Sequence, residues 1–300
     1  MTIVGYDTKY KDGVLACLKR NYHWMKKKSD EELYQWLQPV LSYSWEKDFP
    51  INQFPYKFGM VLLNEIEEVV GYLGLIYSKQ FLEGGCKTVV NPTTWAIDET
   101  YRSETFKCIY YVQQTADIVV DYTARQSLIE IFTKMFHYEN IDQTGCFFLP
   151  KPFFGKRYLR SRKITDSNQI CSECVKKIYM DHAIYNIRCV EFTCNTNKEY
   201  IFYKIEKRAT VLKKMIPLDA VYVLYTSNAD FFCKYSKEII WRMQRLEHAA
   251  LKTDSRFFSI KTNEYKKNRT FSISRLVYGK CEHKEDIGSI YTELAILLDY

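Results

Sequence analysis

The sequence predicts an α/β protein built on mixed sheets, in two successive halves. Within residues 1–150 the predicted elements follow the order β, α, α, β, β, β, α, β, α, β, β, which is neither an all-β pattern nor a regular βαβ repeat. A hairpin precedes a crossover helix, and this order favours a mixed sheet. The second half again shows a run of strands, one long helix and closing strands, which suggests a diverged copy of the first.

Composition and length support two domains. The chain has 300 residues, of which 47% are hydrophobic and 26% charged, as in a globular protein with either one large domain or two of about 150 residues. From Pro150 to about Asn168 the composition shifts to Pro, Gly, Lys, Arg and Ser, which is typical of an interdomain segment. We predict a first domain at residues 1–150, a basic linker at 151–168 and a second domain at 169–300.

Apolar periodicity and turn residues mark the elements of the first half. Ser29 and Glu32 have capping-box spacing, so a helix is expected to begin there. Asn91 and Pro92 are expected to break the chain before a strand. The predicted strands are 2–6, 58–63, 69–77, 93–98, 117–120, around 139 and 146–149; the predicted helices are 12–25, 29–41, 103–115 and 124–135.

The same signals are weaker in the second half. They predict helices at 171–180 and 237–250, and strands at 188–193, 199–204, 209–212, 220–226, 256–260, 270–277 and 290–298.

Two segments carry the functional signal. Val69–Ile76 is a buried strand that contains glycines, and Trp95–Thr105 is a strand followed by an arginine and a helix start. A helix that begins directly after a strand directs backbone N–H groups toward a phosphate. The pair of segments therefore indicates a phosphate-bearing ligand.

These segments resemble the GNAT superfamily of acyl-CoA N-acyltransferases over roughly residues 1–150. Val70-Gly71-Tyr72 matches the family's hairpin, and Trp95–Arg102 matches the strand that approaches its phosphate loop. Tyr122–Ala124, followed by Ile131–His137, is similar to the family's later helix. The resemblance implies two GNAT-like domains in tandem, with acetyl-CoA or another acyl-CoA as co-substrate.

The resemblance also implies where the co-substrate binds. Pantetheine is expected in a wedge between the strands at Thr94–Asp98 and Asp117–Val120, and the pyrophosphate at the helix start. The family's loop glycines are missing, since Thr105 and Lys107 occupy their places, so close approach of backbone to phosphate is sterically harder. The predicted cofactor-binding residues are Ala96, Ile97, Arg102, Ser103, Glu104, Thr105, Phe106 and Lys107.

Acyl transfer to an amine needs a base for the amine proton and an acid for the leaving thiolate. The family often uses a tyrosine on its later helix as that acid, but Phe132 occupies the matching position here and has no proton to donate. We therefore predict Tyr122 as the acid and Asp98, at the end of the strand on the cofactor side, as the base.

The predicted function is transfer of an acetyl or other acyl group from acyl-CoA to a primary amine of an amino sugar, small amine or peptide. One alternative is a non-catalytic binding or scaffold protein that has kept the fold. Another is a transferase that uses aminoacyl-tRNA, in which the basic linker Lys151–Lys163 would contact RNA.

Other partners are not expected from the sequence. The charge excess, 43 − 36 = +7, is scattered along the chain, so nucleic-acid binding is not predicted, and no apolar run is long enough for a membrane span. Cys171, Cys174, Cys189 and Cys194 could supply four thiolates, but the last two are five apart and would face opposite sides of a strand, so no metal is predicted. We expect a cytoplasmic protein; the oligomeric state stays open.

Overall fold

A computed structural model of the chain describes residues 1–82, 85–124, 126–141, 144–210, 217–257, 269–279, 281 and 287–297. Its strands form two seven-stranded mixed sheets, with helices packed against them. This is the mixed α/β architecture that the sequence predicts. Among the residues described, no helix has the length and apolar character needed to cross a bilayer.

The first sheet has the strand order β1-β2-β3-β4-β5-β14-β6. Six of its strands come from the first half of the chain: β1 (Thr2–Gly5), β2 (Met60–Leu63), β3 (Val69–Leu82), β4 (Gly85–Ile97), β5 (Ile118–Asp121) and β6 (Glu139–Asn140). The seventh is β14 (Leu276–Gly279), which pairs antiparallel with β5 and β6.

The second sheet has the order β13-β7-β12-β11-β10-β9-β8. Its strands are β7 (Thr144–Phe148), β8 (Arg160–Ile164), β9 (Arg188–Cys194), β10 (Asn197–Thr210), β11 (Pro217–Thr226), β12 (Ala250–Asp254) and β13 (Arg269–Ser272). It contains β7 from the first half, in the position that β14 has in the first sheet. The two sheets therefore exchange one strand each.

The described residues include seven α-helices: α1 (Lys11–Asn21), α2 (Asp30–Leu41), α3 (Thr105–Thr115), α4 (Gln126–Met135), α5 (Glu173–His182), α6 (Ala229–Glu247) and α7 (Glu293–Ile296). Short 3-10 turns lie at Thr8–Tyr10, His23–Lys27, Glu46–Asp48, Glu99–Glu104, Ser167–Gln169, Ala183–Tyr185 and Ser255–Phe257. The capping box predicted at the start of α2 is present, because Glu32 N donates to Ser29 Oγ and Ser29 N donates to the Glu32 carboxylate.

The two halves share one topology. Each sheet contains a parallel pair, β4 with β5 and β11 with β12, and each pair is joined by a helix, α3 and α6 respectively. Every other pairing between the described strands is antiparallel. This agreement of order and direction is what a diverged copy predicts.

Several predicted elements differ from the structure. The strand predicted at 146–149 is present as β7, but it belongs to the second sheet rather than completing the first. Part of the predicted linker forms the edge strand β8. The division into domains at 150 and 168 stays a prediction, and both sheets cross it.

Three local predictions were wrong for identifiable reasons. Pro92 does not break the chain: β4 continues through it, because β4 has no parallel partner beyond Val90 and needs no N–H there. The predicted strand 256–260 begins as a 3-10 turn, and 258–260 lie outside the described residues. The predicted strand 290–298 contains α7, since periodicity cannot distinguish a fully buried helix from a buried strand; residue 298 is not among those described.

The C-terminal segment 287–297 is buried in the main core, with α2, α5 and the first sheet. His182 of α5 is an anchor for this segment, because its two ring nitrogens lie 2.8 Å from the carbonyl oxygens of Ile178 and Ile290. Tyr291 packs edge-on against Trp45, at 4.9 Å between ring centroids. The segment 287–297 is thereby brought into the main core, next to β4 and β5.

Candidate functional site

The parallel strands β4 and β5 separate and leave a wedge between them. They pair only at Val89 with Ile118 and at Val90 with Val119, after which β4 continues to Ile97 and β5 ends at Asp121. The Asn91 side chain spans the opening, because its Nδ2 donates to the Val120 carbonyl at 2.9 Å. The wedge predicted from the sequence is therefore present, and both of its strand edges are identified.

A β-bulge lies on β4 beside this wedge. The register against β3 shifts between Tyr72 and Gly74, and Thr94 has a φ of 50°. A β-branched residue in the left-handed region is strained, and such strain is most common at binding and catalytic sites. The bulge turns β4 away from β5 at the mouth of the wedge.

Aromatic rings line the next part of the wedge. Trp95 packs on Phe132 with 6.0 Å between ring centroids, and the Trp95 carbonyl accepts a hydrogen bond from the Tyr22 hydroxyl. Phe132 is buried and also contacts Tyr138. Phe132 is thus part of the hydrophobic core, and as a phenylalanine it has no proton to donate.

The predicted cofactor residues lie on β4 and at the start of α3. Ala96 and Ile97 are buried and pair with β3. A 3-10 turn, Glu99–Glu104, precedes α3 and contains Arg102, Ser103 and Glu104, whereas Thr105, Phe106 and Lys107 form its first turn. The order of strand, turn and helix follows the prediction.

Charged pairs surround that helix start. Arg102 lies 3.6 Å from Glu99, and Lys107 lies 2.7 Å from Glu104. Both cations are about two-thirds exposed, so these pairs contribute little to stability and their side chains can turn toward another anion. Phe106 stacks on Phe136 with 5.6 Å between centroids.

The corresponding turn of the second sheet is already occupied by a carboxylate. Glu199 of β10 is fully buried beside the turn where β11 leads into α6. Its carboxylate accepts hydrogen bonds from the hydroxyls of Thr226 and Ser227 and from the backbone of Asn228. Burial raises the pKa of Glu199 to about 7. Its carboxylate uses the donors that a phosphate would need at this turn.

The predicted base, Asp98, is held in an ion pair. Its carboxylate lies 2.6 Å from Arg20 Nη2 and accepts from Asn21 Nδ2 at 2.8 Å. The hydrogen bond from Arg20 to Asp98 raises the pKa of the arginine. Asp98 and Arg20 line a surface cleft of about 560 Å³ between α1 and the β2–β3 hairpin.

The predicted acid, Tyr122, lies on the other side of the wedge, after β5. Its hydroxyl is buried and donates to the Ile287 carbonyl at 3.1 Å. Tyr122 lines a second cavity, of about 340 Å³, which lies between the two sheets. The other lining residues are Thr123, Ala124, Tyr222, Lys252, Phe271, Ile273, Ser274, Arg275 and Leu294. No described residue lines both this cavity and the Asp98 cleft, so the structure does not bring Asp98 and Tyr122 together.

A carboxyl group that the sequence did not single out lies beside this second cavity. Glu293, at the start of α7, is only 5% exposed, and its backbone N–H donates to Asn91 Oδ1 at 2.9 Å. Its Oε1 accepts from the Thr123 hydroxyl at 2.8 Å. Its Oε2 is buried and has no hydrogen-bond partner among the described residues. Glu293 is therefore fixed beside the wedge, with one buried oxygen that accepts no hydrogen bond from the described residues.

Burial shifts the titration of this carboxyl group toward neutral pH. Together with the nearby Asp121 carboxylate, which is the smaller cause, burial raises the pKa of Glu293 to about 7. Burial also raises the pKa of Asp121, to about 6. A carboxyl group that titrates near neutral pH is suited to accept and release protons during a reaction.

These raised values predict that stability falls as pH rises from about 4.5 to 7. The folded protein keeps its protons on Glu293 and Asp121 in a range where the unfolded chain has released them, so raising the pH favours unfolding. We expect Glu293→Gln to reduce the fall in unfolding free energy by about 3 kcal/mol, which is the order given by the shift of its pKa. The measurement is the unfolding free energy of both proteins, obtained from denaturant titrations at pH 4.5, 6 and 7.5. An equal fall with pH in both proteins would contradict the prediction.

Glu293 was missed because it lies in a run that was predicted as a strand. One signal was available: it is the single charged residue between Ile290 and Leu297. A lone acid in a buried run needs a partner or a function, because an isolated charge is rarely buried.

The four cysteines considered as metal ligands are dispersed. Cys171 and Cys174 are exposed, Cys189 is buried and Cys194 is half-buried. Among the described residues, no three His, Cys, Asp or Glu side chains cluster as metal ligands would.

Solved structures share this fold across most of the chain. A GCN5-related N-acetyltransferase from Anabaena variabilis has a TM-score of 0.57 at 11% identity, over 92% of this chain and 72% of its own. A GCN5-related N-acetyltransferase from Kribbella flavida has a TM-score of 0.56 at 10% identity, over 92% of this chain and 71% of its own. A putative acetyltransferase from Pyrococcus horikoshii has a TM-score of 0.53 at 11% identity, over 96% of this chain and 92% of its own. At these identities the likeness concerns the fold. No protein-family model and no curated protein matches the sequence.

Proposed function

We propose that this chain, which has the fold of the GCN5-related N-acetyltransferases, transfers an acetyl or other acyl group from acyl-CoA to a primary amine in the wedge of its first sheet. The observation that carries the proposal is Glu293: a buried carboxyl group with a pKa near 7 and one free oxygen, beside a cavity at the mouth of the wedge. Acyl transfer to an amine needs a base for the amine proton, and a base works best when its pKa lies near the working pH.

We assign acyl-CoA to the first sheet rather than the second. Side-chain donors lie at the start of α3, on Arg102, Ser103, Thr105 and Lys107. Arg102 and Lys107 form exposed ion pairs with glutamates, and these can be exchanged for ion pairs with a pyrophosphate. At the corresponding turn of the second sheet, the Glu199 carboxylate already uses the donors and would repel a phosphate.

In the proposed reaction the acceptor amine attacks the thioester carbonyl, a C–N bond forms, and the C–S bond breaks. Glu293 accepts the proton that the amine loses, and Thr123 orients the carboxylate through its Oε1. Tyr122 remains our candidate for returning a proton to the leaving thiolate. The ion pair of Asp98 with Arg20, in a separate cleft, favours Glu293 over Asp98 as the base.

We propose that the acceptor amine enters through the cavity of about 340 Å³ between the sheets. That volume is within the range of small-molecule sites, which fits a small amine, one ring of an amino sugar or the end of a peptide. The ten cysteines are all free, which supports a reducing, cytoplasmic location.

The first test is ligand binding followed by thermal unfolding. Acetyl-CoA at about a hundred times its Kd should stabilise the fold by roughly 2.7 kcal/mol, which is about 4 °C in a chain of this size that unfolds as one unit. ATP should give a smaller shift, because it lacks the pantetheine arm that the wedge would hold.

Matched variants localise the site. Arg102→Ala/Lys107→Ala should reduce the shift, whereas Lys26→Ala/Lys27→Ala, which removes the same charge from another exposed part of the first half, should not. The absence of any shift specific to CoA compounds would favour the non-catalytic alternative. If a shift is found, thiol release in the presence of a panel of amines would then identify the acceptor.

A further inference from the structure

The segment predicted as a linker has an unusual composition. Among residues 151–163, six are Lys or Arg, three are aromatic and none is acidic. Basic residues interleaved with aromatic ones are the pattern that single-stranded nucleic-acid sites use, because phosphates and bases alternate along the strand.

The structure shows that this segment is anchored on α6. Glu238 of α6 is buried, and its carboxylate accepts hydrogen bonds from Tyr158 N at 2.8 Å, Leu159 N at 3.2 Å and Arg242 Nε at 2.8 Å. The side chains of the segment therefore have fixed positions relative to those of the helix.

Trp241 of α6 lies at the centre of the surface that results. The guanidinium carbons of Arg157, Arg245 and Arg242 lie 5.0, 5.2 and 5.8 Å from its ring centroid. A cavity of about 300 Å³ adjoins it, lined by Pro150, Lys151, Trp241, Gln244, Arg245 and His248, with no carboxylate among them. The cavity has the lining expected for an anion.

Several cations of this surface have no acidic partner. Arg162, Lys163 and Arg242 are paired with glutamates. By contrast, five others make no ion pair with any described residue: Lys156, Arg157, Arg160, Lys234 and Arg245. Two aromatic side chains between them are open to solvent, Phe154 at 94% exposure and Tyr158 at 60%.

We propose that this basic-aromatic face, formed by residues 151–160 and the exposed side of α6, binds single-stranded nucleic acid. The five cations bind the phosphates, and Phe154 and Tyr158 provide stacking surfaces for unpaired bases. A duplex conceals its base faces, and an acidic peptide has no bases to stack, so neither accounts for the exposed rings. The proposal does not depend on the acyltransferase function.

Fluorescence anisotropy with a labelled twelve-nucleotide oligouridine, between 50 and 200 mM salt, tests this. Five phosphate contacts would give a slope of log K against log salt of about −3.5. Arg157→Gln/Arg245→Gln should weaken binding and make the slope shallower by about 1.4. Phe154→Ala should weaken binding at least about fivefold with the slope unchanged, because it removes stacking and no charge.

Controls distinguish binding at this face from non-specific attraction to positive charge. Lys26→Gln/Lys27→Gln removes the same charge from exposed positions of the first half and should leave binding unchanged. Oligothymidine of equal length should also bind, and its affinity relative to RNA shows whether the sugar is recognised. Absence of binding at 50 mM salt, an equal loss in both double variants, or duplex binding as tight as that of the single strand would each overturn the proposal. Unchanged melting temperatures confirm that the variants fold.

Discussion

Replacement of Glu293 by glutamine is expected to lower kcat/KM for acyl transfer by about 10²- to 10⁴-fold, the usual contribution of a positioned general base. Glutamine has nearly the same shape, and its side-chain oxygen can still accept from the Thr123 hydroxyl. What it loses is the ability to take a proton from the amine. The measurement is thiol release from acetyl-CoA with the best acceptor found in the amine panel.

The pH profile distinguishes a base from a residue that only supports the fold. Because the pKa of Glu293 is about 7, kcat/KM of the unmodified protein should rise as pH increases through this value, and the residual activity of Glu293→Gln should lack that rise. Glu199→Gln is the matched control, since Glu199 is also buried with a pKa of about 7 but lies in the second sheet. A similar loss in both variants would contradict the assignment. A loss confined to Asp98→Asn would restore the base predicted from the sequence.

Features that depend on neighbouring residues could be predicted from the sequence. The capping box at Ser29 depends on two residues three positions apart. Val70-Gly71-Tyr72 identified β3, and the structure explains the glycine, because a Cβ at Gly71 would lie 3.1 Å from Ile97 Cγ1 and 3.2 Å from Leu62 Cβ. The wedge was expected from the resemblance to the GNAT superfamily, and in the structure β4 and β5 pair at only two positions.

Features that depend on distant parts of the chain could not be predicted. The exchange of β7 and β14 leaves no local pattern in the sequence. The residues of a strand show that it is a strand, but they do not show which sheet it joins. Glu293 reaches the wedge through a hydrogen bond to Asn91, which is 202 positions away. Likewise, Arg157 and Arg245 are far apart in the sequence, and the docking of residues 151–160 on α6 brings both to Trp241.

Arg275 links the two sheets next to the exchanged strand β14. It precedes β14 and is 2% exposed, and it forms a buried ion pair with Asp254, at the end of β12, with 2.9 Å from Nη2 to Oδ1. It also donates to the Tyr122 carbonyl and to the Tyr222 hydroxyl, both at 2.8 Å. One side chain thus joins the end of β12 in the second sheet to the strand that enters the first.

Arg275→Met is accordingly expected to destabilise the protein by about 3 to 5 kcal/mol, since it removes the buried ion pair with Asp254 and the hydrogen bond to the Tyr122 carbonyl. Lys207→Met, which breaks an exposed pair with Asp219, should cost less than about 1 kcal/mol. Urea unfolding measures both. The double variant Arg275→Met/Asp254→Leu should recover much of the loss, because an apolar pair carries no desolvation penalty. If it recovers nothing, the arginine contributes through its bonds to Tyr122 and Tyr222, and the contact between the sheets rather than the ion pair is what stabilises the exchange.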